Sequence, residues 1–356
     1  MTTIDQLARG RDNNFNLLRM IAASAVLVSH SWPLALGRGT PEPLEFATGY
    51  KLGTTAVILF FAISGFFITK SFDRRASLAD FAIARLFRIY PALIVVLLLT
   101  LLVLGPLFTA LPLPAYVADY HTWTYVPHNL LLRHPQWTLP GVFEQNRGGP
   151  AINGSLWTLF YEVSCYGLVV LCGLAGLLRP MRFTIVLIAA VLPLWLVPQV
   201  ETGGLLGAAS ILTLPFALGA AAYVYRRHIP VSFPLAAALV AAAVLSVGSP
   251  IYPFAHALAL SYSALWFGLA RLPGLRAYNR LGDYSYGMYI YAFPVQQMTV
   301  ALAHPASPVA LALISFVPTL VLAVASWSLI EAPALDRRHH VLDRWPLRFG
   351  RRAPAG

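Results

Sequence analysis

Charge is what this sequence has least of. Asp, Glu, Lys and Arg make up 11% of its 356 residues against 58% hydrophobic residues, and mean hydropathy is +0.67. So few polar side chains cannot cover a soluble globule, which excludes that class at the outset. Cysteine is nearly missing as well. Cys165 and Cys172 stand about 10 Å apart along one predicted helix, too far for a disulfide, and no cysteine zinc spacing exists. Acidic residues number 14 against 25 Lys and Arg. The basic excess sits in pairs at the ends of apolar runs rather than in a groove interleaved with stacking aromatics, so no nucleic-acid partner is expected.

A polar stretch long enough to form a soluble domain is also absent, because apolar runs recur from residue 15 to residue 331. The chain therefore reads as all-α, a polytopic integral membrane protein with one domain over 1–335 and a basic tail over 336–356. About ten transmembrane helices are predicted, near 15–36, 53–70, 89–111, 154–178, 183–199, 205–225, 231–248, 253–271, 284–303 and 308–331. The weakest are the short fifth span, "FTIVLIAAVLPLWLVPQ", and the proline-bearing eighth. Alternating sides from a cytoplasmic N-terminus gathers 21 of the 25 Lys and Arg on one side. The positive-inside rule then puts both termini in the cytoplasm and the protein in the inner (cytoplasmic) membrane. A cleaved secretory signal is excluded, since the polar start is long, His30 interrupts the first apolar run and nine further spans follow.

Ionisable groups inside apolar spans are costly and mark where function is to be sought. In "RMIAASAVLVSH", eleven helical steps carry Arg19 to His30, about 20° past three full turns, so both lie on one face roughly 16 Å apart. His30 reads either as a hydrogen-bonded packing residue or as a general base, imidazole being the side chain that titrates near neutral pH. Arg19 either snorkels to the interface or lines a path to His30. In "FAIARLFRIYPAL", Arg85 and Arg88 are one turn apart, with Lys70, Arg74 and Arg75 in the preceding loop. They are either a topology-setting flank or a bidentate clamp for phosphates. "NGSLWTLFYEVSCYG" places Glu162 inside an apolar helix, where it needs an arginine partner or a proton role, such as orienting His30. Asn153, Trp157 and Tyr161 around it are candidates for binding an acceptor. Glu331, just before a proline at the end of the last span, suggests capping or local ion-pairing.

The loop over 112–153 is too aromatic for disorder and is expected to act as a lid. Its His121, His128 and His134 put no clean pair on one helical turn, and no metal is expected. Aromatics beside Asn, Gln and Arg suit a carbohydrate or another polar acceptor equally well.

The fragments "NNFNLLRMIAASAVLVSH", "FFAISGFFITKSF", "FAIARLFRIYP", "LPGVF", "NGSLWTLFYE", "GDYSYGMYIYAFPV" and "IEAP", in this order, resemble acyltransferase family 3, the membrane-bound O-acyltransferases of bacterial surface glycans and some secondary metabolites. The resemblance runs from about residue 12 to 335. It implies an active centre marked by Arg19 and His30, a basic pair at Arg85 and Arg88, an aromatic-acid segment at Trp157 and Glu162, and the glycine after serine at Gly65. It departs from the family at Ala292, where many members carry histidine. Larger members append an extracytoplasmic hydrolase-like domain; none is expected here, so the resemblance implies a single-component enzyme. The expected donor is acyl-coenzyme A, with acetyl-coenzyme A as its simplest form, and the expected acceptor is a glycan or glycolipid at the bilayer. The competing reading is a transporter or flippase, although no inverted repeat is evident.

Overall fold

The computed structural model describes residues 2–10, 13–74, 77–193, 205–272 and 274–344. Among the described residues there is no strand, only two isolated bridging pairs, Thr3 with Pro230 and Thr109 with Val142. A backbone surrounded by hydrocarbon has no water to bond, and a helix satisfies its amides within one segment. Each predicted apolar segment accordingly holds a helix: α1 (Phe15–Leu36), α2 (Leu52–Arg74), α3 (Leu78–Leu99), α4 (Trp157–Leu174), α5 (Pro180–Val186), α6 (Leu205–Val224), α7 (Phe233–Leu245), α8 (Tyr252–Leu269), α9 (Ser285–Ala303) and α10 (Pro308–Ser326). Six described stretches are long and apolar enough to cross a membrane: Phe15–Leu36, Leu52–Arg74, Leu78–Phe108, Trp157–Leu174, Gly207–Val224 and Pro308–Arg338. The predicted fifth span runs into 194–204; that stretch and Arg75 lie outside the described residues.

The chain builds two compact units, each from three separated stretches. The first comprises Met1–Ala22, Thr54–Leu78 and Tyr161–Gly282. Its core joins Ile4, Phe15, Leu18, Ile63, Phe66, Tyr223 and Leu265. Two glycines allow α2 and α6 to approach closely: a Cβ on Gly65 would strike the Phe216 carbonyl, and one on Gly219 would strike the Ala62 carbonyl. Small residues at such crossings let membrane helices gain dispersion contact where no hydrophobic drive exists between them. At the head of α1, Asn14 Nδ2 donates to the carbonyls of Phe267 (2.8 Å) and Ala270 (2.9 Å), satisfying the open end of α8.

The second unit comprises Ala23–Gly53, Ala79–Phe160 and Asp283–Gly356. A core of Leu34, Ala35, Phe293, Val300 and Leu311 ties α1, α9 and α10 together. Proline and π geometry each free a backbone group here, and a side chain answers each time. Pro294 inside α9 has no N–H for the Ile290 carbonyl, and Asn153 Nδ2 donates to that carbonyl at 2.8 Å. The α3 helix continues through a wide turn, Thr100–Leu104, to Gly105–Phe108. The buried Tyr116 hydroxyl donates to the Leu101 carbonyl there at 2.9 Å, and burial pushes that phenol up to about 12. The segment expected to act as a lid is partly helical. It holds two short helices, Leu113–Ala118 and Tyr120–Leu130, the second capped by Asp119, whose Oδ1 accepts from the His121 amide at 2.8 Å.

Candidate active site

In the second unit, His30 lies on α1 with its ring edge-on to Phe293, centroids 5.1 Å apart at 76°. Phe293 reaches this position because residue 154 is glycine; a Cβ there would sit 2.6 Å from the phenyl ring. The residues flanking His30 are both satisfied. Ser29 Oγ donates to Glu42, and Ser31 Oγ donates to the Leu27 carbonyl at 3.0 Å while accepting from Gln296 Nε2 at 2.7 Å. The buried Nδ1 of His30 has no hydrogen-bond partner among the described residues. An imidazole nitrogen held dry with its lone pair or proton unspent can take a proton from, or give one to, a group brought to it.

Glu42 was not legible as a functional residue, yet it is 3% exposed. Its second oxygen accepts from the Leu52 amide at 3.0 Å, so one carboxylate holds the segment after α1 against the residue beside His30. The signal was available: Glu42 precedes Pro43 and stands three residues before Glu45, and the two form a capping box at Pro43–Thr48. Gln296 was also missed, although paired amides inside an apolar helix, "FPVQQMTV", are a visible anomaly.

Arg88 is held by two carboxylates of the same unit, Asp283 at 2.7 Å and Glu331 at 3.3 Å. Each acid is itself steadied: Ser285 Oγ donates to Asp283 at 2.5 Å and Ser326 Oγ to Glu331 at 2.9 Å. The second bond follows from helix geometry, because Trp327–Glu331 is a π turn whose i→i+5 spacing aligns Ser326 with Glu331. Glu331 is therefore not the local interface pair expected of it; its partner is distant in the chain and its side chain is 2% exposed. Arg85 lies half-buried one turn before Arg88 on α3.

In the first unit, the Arg19 guanidinium lies 5.3 Å from the centre of the Phe67 ring, and Lys70 Nζ lies 5.7 Å from the same ring while donating to the Ala8 carbonyl at 2.6 Å. Glu162 accepts from Ser64 Oγ at 3.0 Å and from the Tyr166 hydroxyl at 2.5 Å. Both of these donors are hydroxyls, where an arginine was one expectation. Gly65 is the neighbour that seats this stretch of α2 against α6. Tyr161, half-buried, precedes Glu162 in this unit, whereas Trp157 belongs to the second unit and opens α4. Asn153 is spent on the backbone, with Nδ2 on Ile290 and Oδ1 accepting from the Ser155 amide at 3.1 Å. Among the described residues no three metal-ligating side chains converge; His121 pairs with Asp119 at 3.1 Å, a carboxylate partner overlooked in the sequence.

The chain belongs to acyltransferase family 3: the family's acyltransferase domain matches residues 12–328. It is similar to an O-acetyl transferase of Shigella phage Sf6, 30% identical across 92% of this chain and 97% of that protein. It is likewise similar to Nodulation protein 10 of Rhizobium leguminosarum bv. viciae, 30% identical across 94% of this chain and 96% of that protein. No solved structure matches it. The protein is thus an O-acyltransferase with the apolar helices of a multi-pass membrane protein, and the transporter reading is set aside.

Proposed function

We propose that the protein transfers an acyl group, acetyl in the simplest case, from acyl-coenzyme A to a hydroxyl of a glycan or glycolipid at the inner (cytoplasmic) membrane. The chain crosses ten times with both termini in the cytoplasm, the arrangement that gathers the basic residues on one side. Donor phosphates meet Arg85 and Arg75. Arg88, occupied by Asp283 and Glu331, braces the same turn of α3. Arg19 lines the way of the pantetheine arm, and Trp157 and Tyr161 serve the acceptor.

The observation that carries this reading is the unpartnered Nδ1 of His30 in a chain of an acyltransferase family. His30 takes the proton of the acceptor hydroxyl as its oxygen bonds to the thioester carbonyl carbon. The carbon–sulfur bond then breaks, and the leaving thiolate recovers the proton from the imidazolium, so ester and free coenzyme A form and the imidazole returns neutral. Glu162, whose carboxylate is held by two hydroxyl donors, is assigned a proton role of its own.

The test incubates membranes containing the protein with radiolabelled acetyl-coenzyme A and surface glycans from cells lacking the gene. Wild type is expected to yield an alkali-labile labelled ester, and His30→Ala none at equal membrane abundance. Transfer retained by His30→Ala removes the histidine as base, and no ester with wild type removes the donor–acceptor assignment.

A further inference from the structure

Beyond the end of α1 that carries His30, the second unit holds a groove of about 450 Å³ that no step above uses. Its volume falls in the range of small-ligand sites, about 300–1,000 Å³. Its apolar wall is a ring pair, Phe108 and Phe143, with centroids 5.1 Å apart and tilted 49°. Glu144, Gln145 and Arg147, all exposed, form a rim with His304.

Three features select the ligand. The rim's carboxylate and guanidinium cancel in formal charge, so it is not built for a polyanion, whereas amide, carboxylate and guanidinium groups together match hydroxyls that both donate and accept. Phe108, half-buried beside them over the buried Phe143, offers an apolar surface to the C–H face of a sugar ring. The rim is also pre-organised: Asn146 Nδ2 donates to the backbone and side-chain oxygens of Gln297 at 3.0 and 2.8 Å, and Gln297 Nε2 donates to the Gly149 and Ala151 carbonyls at 2.9 and 2.6 Å.

Backbone strain points to the same place. Among the described residues three non-glycine positions take left-handed φ, and two of them line this groove, Phe143 at 59° and His304 at 43°. Such conformations cluster at functional sites, and glycine would adopt either without strain. At the end of α9, His304 holds the capping position that glycine ordinarily fills.

Val300 lines the groove, and Phe293, seven residues earlier on the same face of α9, touches His30. The groove thus begins roughly 10 Å along α9 from the imidazole. We propose that it is the subsite for the non-reacting units of a neutral oligosaccharide acceptor, a proposal that rests on the glycan reading above. Remote contacts of this kind hold the acceptor while its reacting hydroxyl is presented elsewhere.

The experiment places the full chain in lipid nanodiscs with maltotetraose, cellotetraose and chitotetraose, reading saturation transfer from protein to sugar. At least one tetrasaccharide is expected to receive saturation. Ala301→Trp, which fills the groove from α9, is expected to abolish the signal, and Gln145→Ala on the exposed rim to weaken binding by about tenfold, the loss of one to two hydrogen bonds. Acetyl-coenzyme A binding stays unchanged in both variants, which separates a blocked groove from a misfolded chain. Absence of signal with all three sugars, or undiminished binding by both variants, overturns the groove. His30→Ala keeps the sugar signal while losing transfer. Sugar binding without acyl transfer in wild type therefore sinks the catalytic reading alone, and transfer with no groove effect sinks this proposal alone.

Discussion

His30 and Arg88 belong to the same unit and are provided for in opposite ways. Arg88 meets two carboxylates, each steadied by a serine, so removing it from water is offset by charge pairing and hydrogen bonding. His30 sits between two serines whose bonds go elsewhere, and its buried Nδ1 is left without a partner among the described residues. A structural polar group is paired because an unpaired one costs stability; a group that must exchange a proton with a substrate has to keep a site open. The contrast fits a framework role for Arg88 and the proton-exchanging role proposed for His30, although other buried atoms among the described residues, Gln296 Oε1 and Asn14 Oδ1 included, are unpartnered too.

The largest effect that sharpens this contrast is kinetic. His30→Ala should lower kcat by about 10²–10⁴, the usual worth of a general base, while the unfolding temperature in detergent holds or rises as a buried polar atom is removed. Arg88→Ala should do the reverse. It leaves Asp283 and Glu331 buried without their cation, at a cost of about 3–5 kcal/mol, seen as a lowered unfolding temperature before any assay. Arg88→Lys keeps the charge but not the fork that reaches two acids, and should fall between. A stable Arg88→Ala protein with only a raised donor KM would break the comparison and return Arg88 to the phosphate clamp.

How much of this was legible follows the range of each interaction. The apolar helices, six of them among the described residues long enough to cross a membrane, were readable because apolar runs and their ends are local features. So was the presence of His30 and Glu162 within apolar runs, a feature His30 shares with His256 of α8. The partners were not: Asp283 and Glu331 lie 195 and 243 residues from Arg88, and no spacing rule joins them. Glu162 drew attention to a distant arginine, yet one of its donors, Tyr166, is its own i+4 neighbour and was readable from helix geometry. Asn153 seemed free for a ligand because the sequence does not reveal that Pro294 leaves the Ile290 carbonyl open. Glu42 hid in a loop, since its burial depends on how that loop returns to α1.

Glu42 supplies a smaller test on the same ground. Glu42→Ala strips an acceptor from Ser29 Oγ and from the Leu52 amide, about 1–3 kcal/mol for a buried group left unsatisfied. Because Ser29 adjoins His30, kcat should fall along with the unfolding temperature. Glu42→Gln keeps one acceptor oxygen and should recover part of both. A kcat loss of the same size in Glu42→Gln with stability restored would mean that the carboxylate's charge, rather than its grip on the loop, matters to His30.

The smallest effect is expected where carboxylate pairing is exposed. Asp5 in the first unit is flanked by Arg9 at 3.1 Å and Arg226 at 3.1 Å, and these guanidiniums, Arg9 foremost, hold its carboxyl below the ordinary value. A carboxyl whose pKa is lowered on folding stabilises the folded chain above the ordinary value and loses that contribution as pH falls through the folded one. With Arg9 73% exposed, screening limits the contribution to less than about 1 kcal/mol. Comparing wild type with Asp5→Asn from about pH 5 to pH 3 should therefore show a small wild-type advantage that disappears toward the acid end, across ordinary carboxylate titration. Added salt should erase it too, whereas the penalty of Arg88→Ala, screened far less in its buried setting, should persist. Equal salt sensitivity of the two would mean that burial does not divide them, and that the Arg88 cluster is as wet as the Asp5 surface pair.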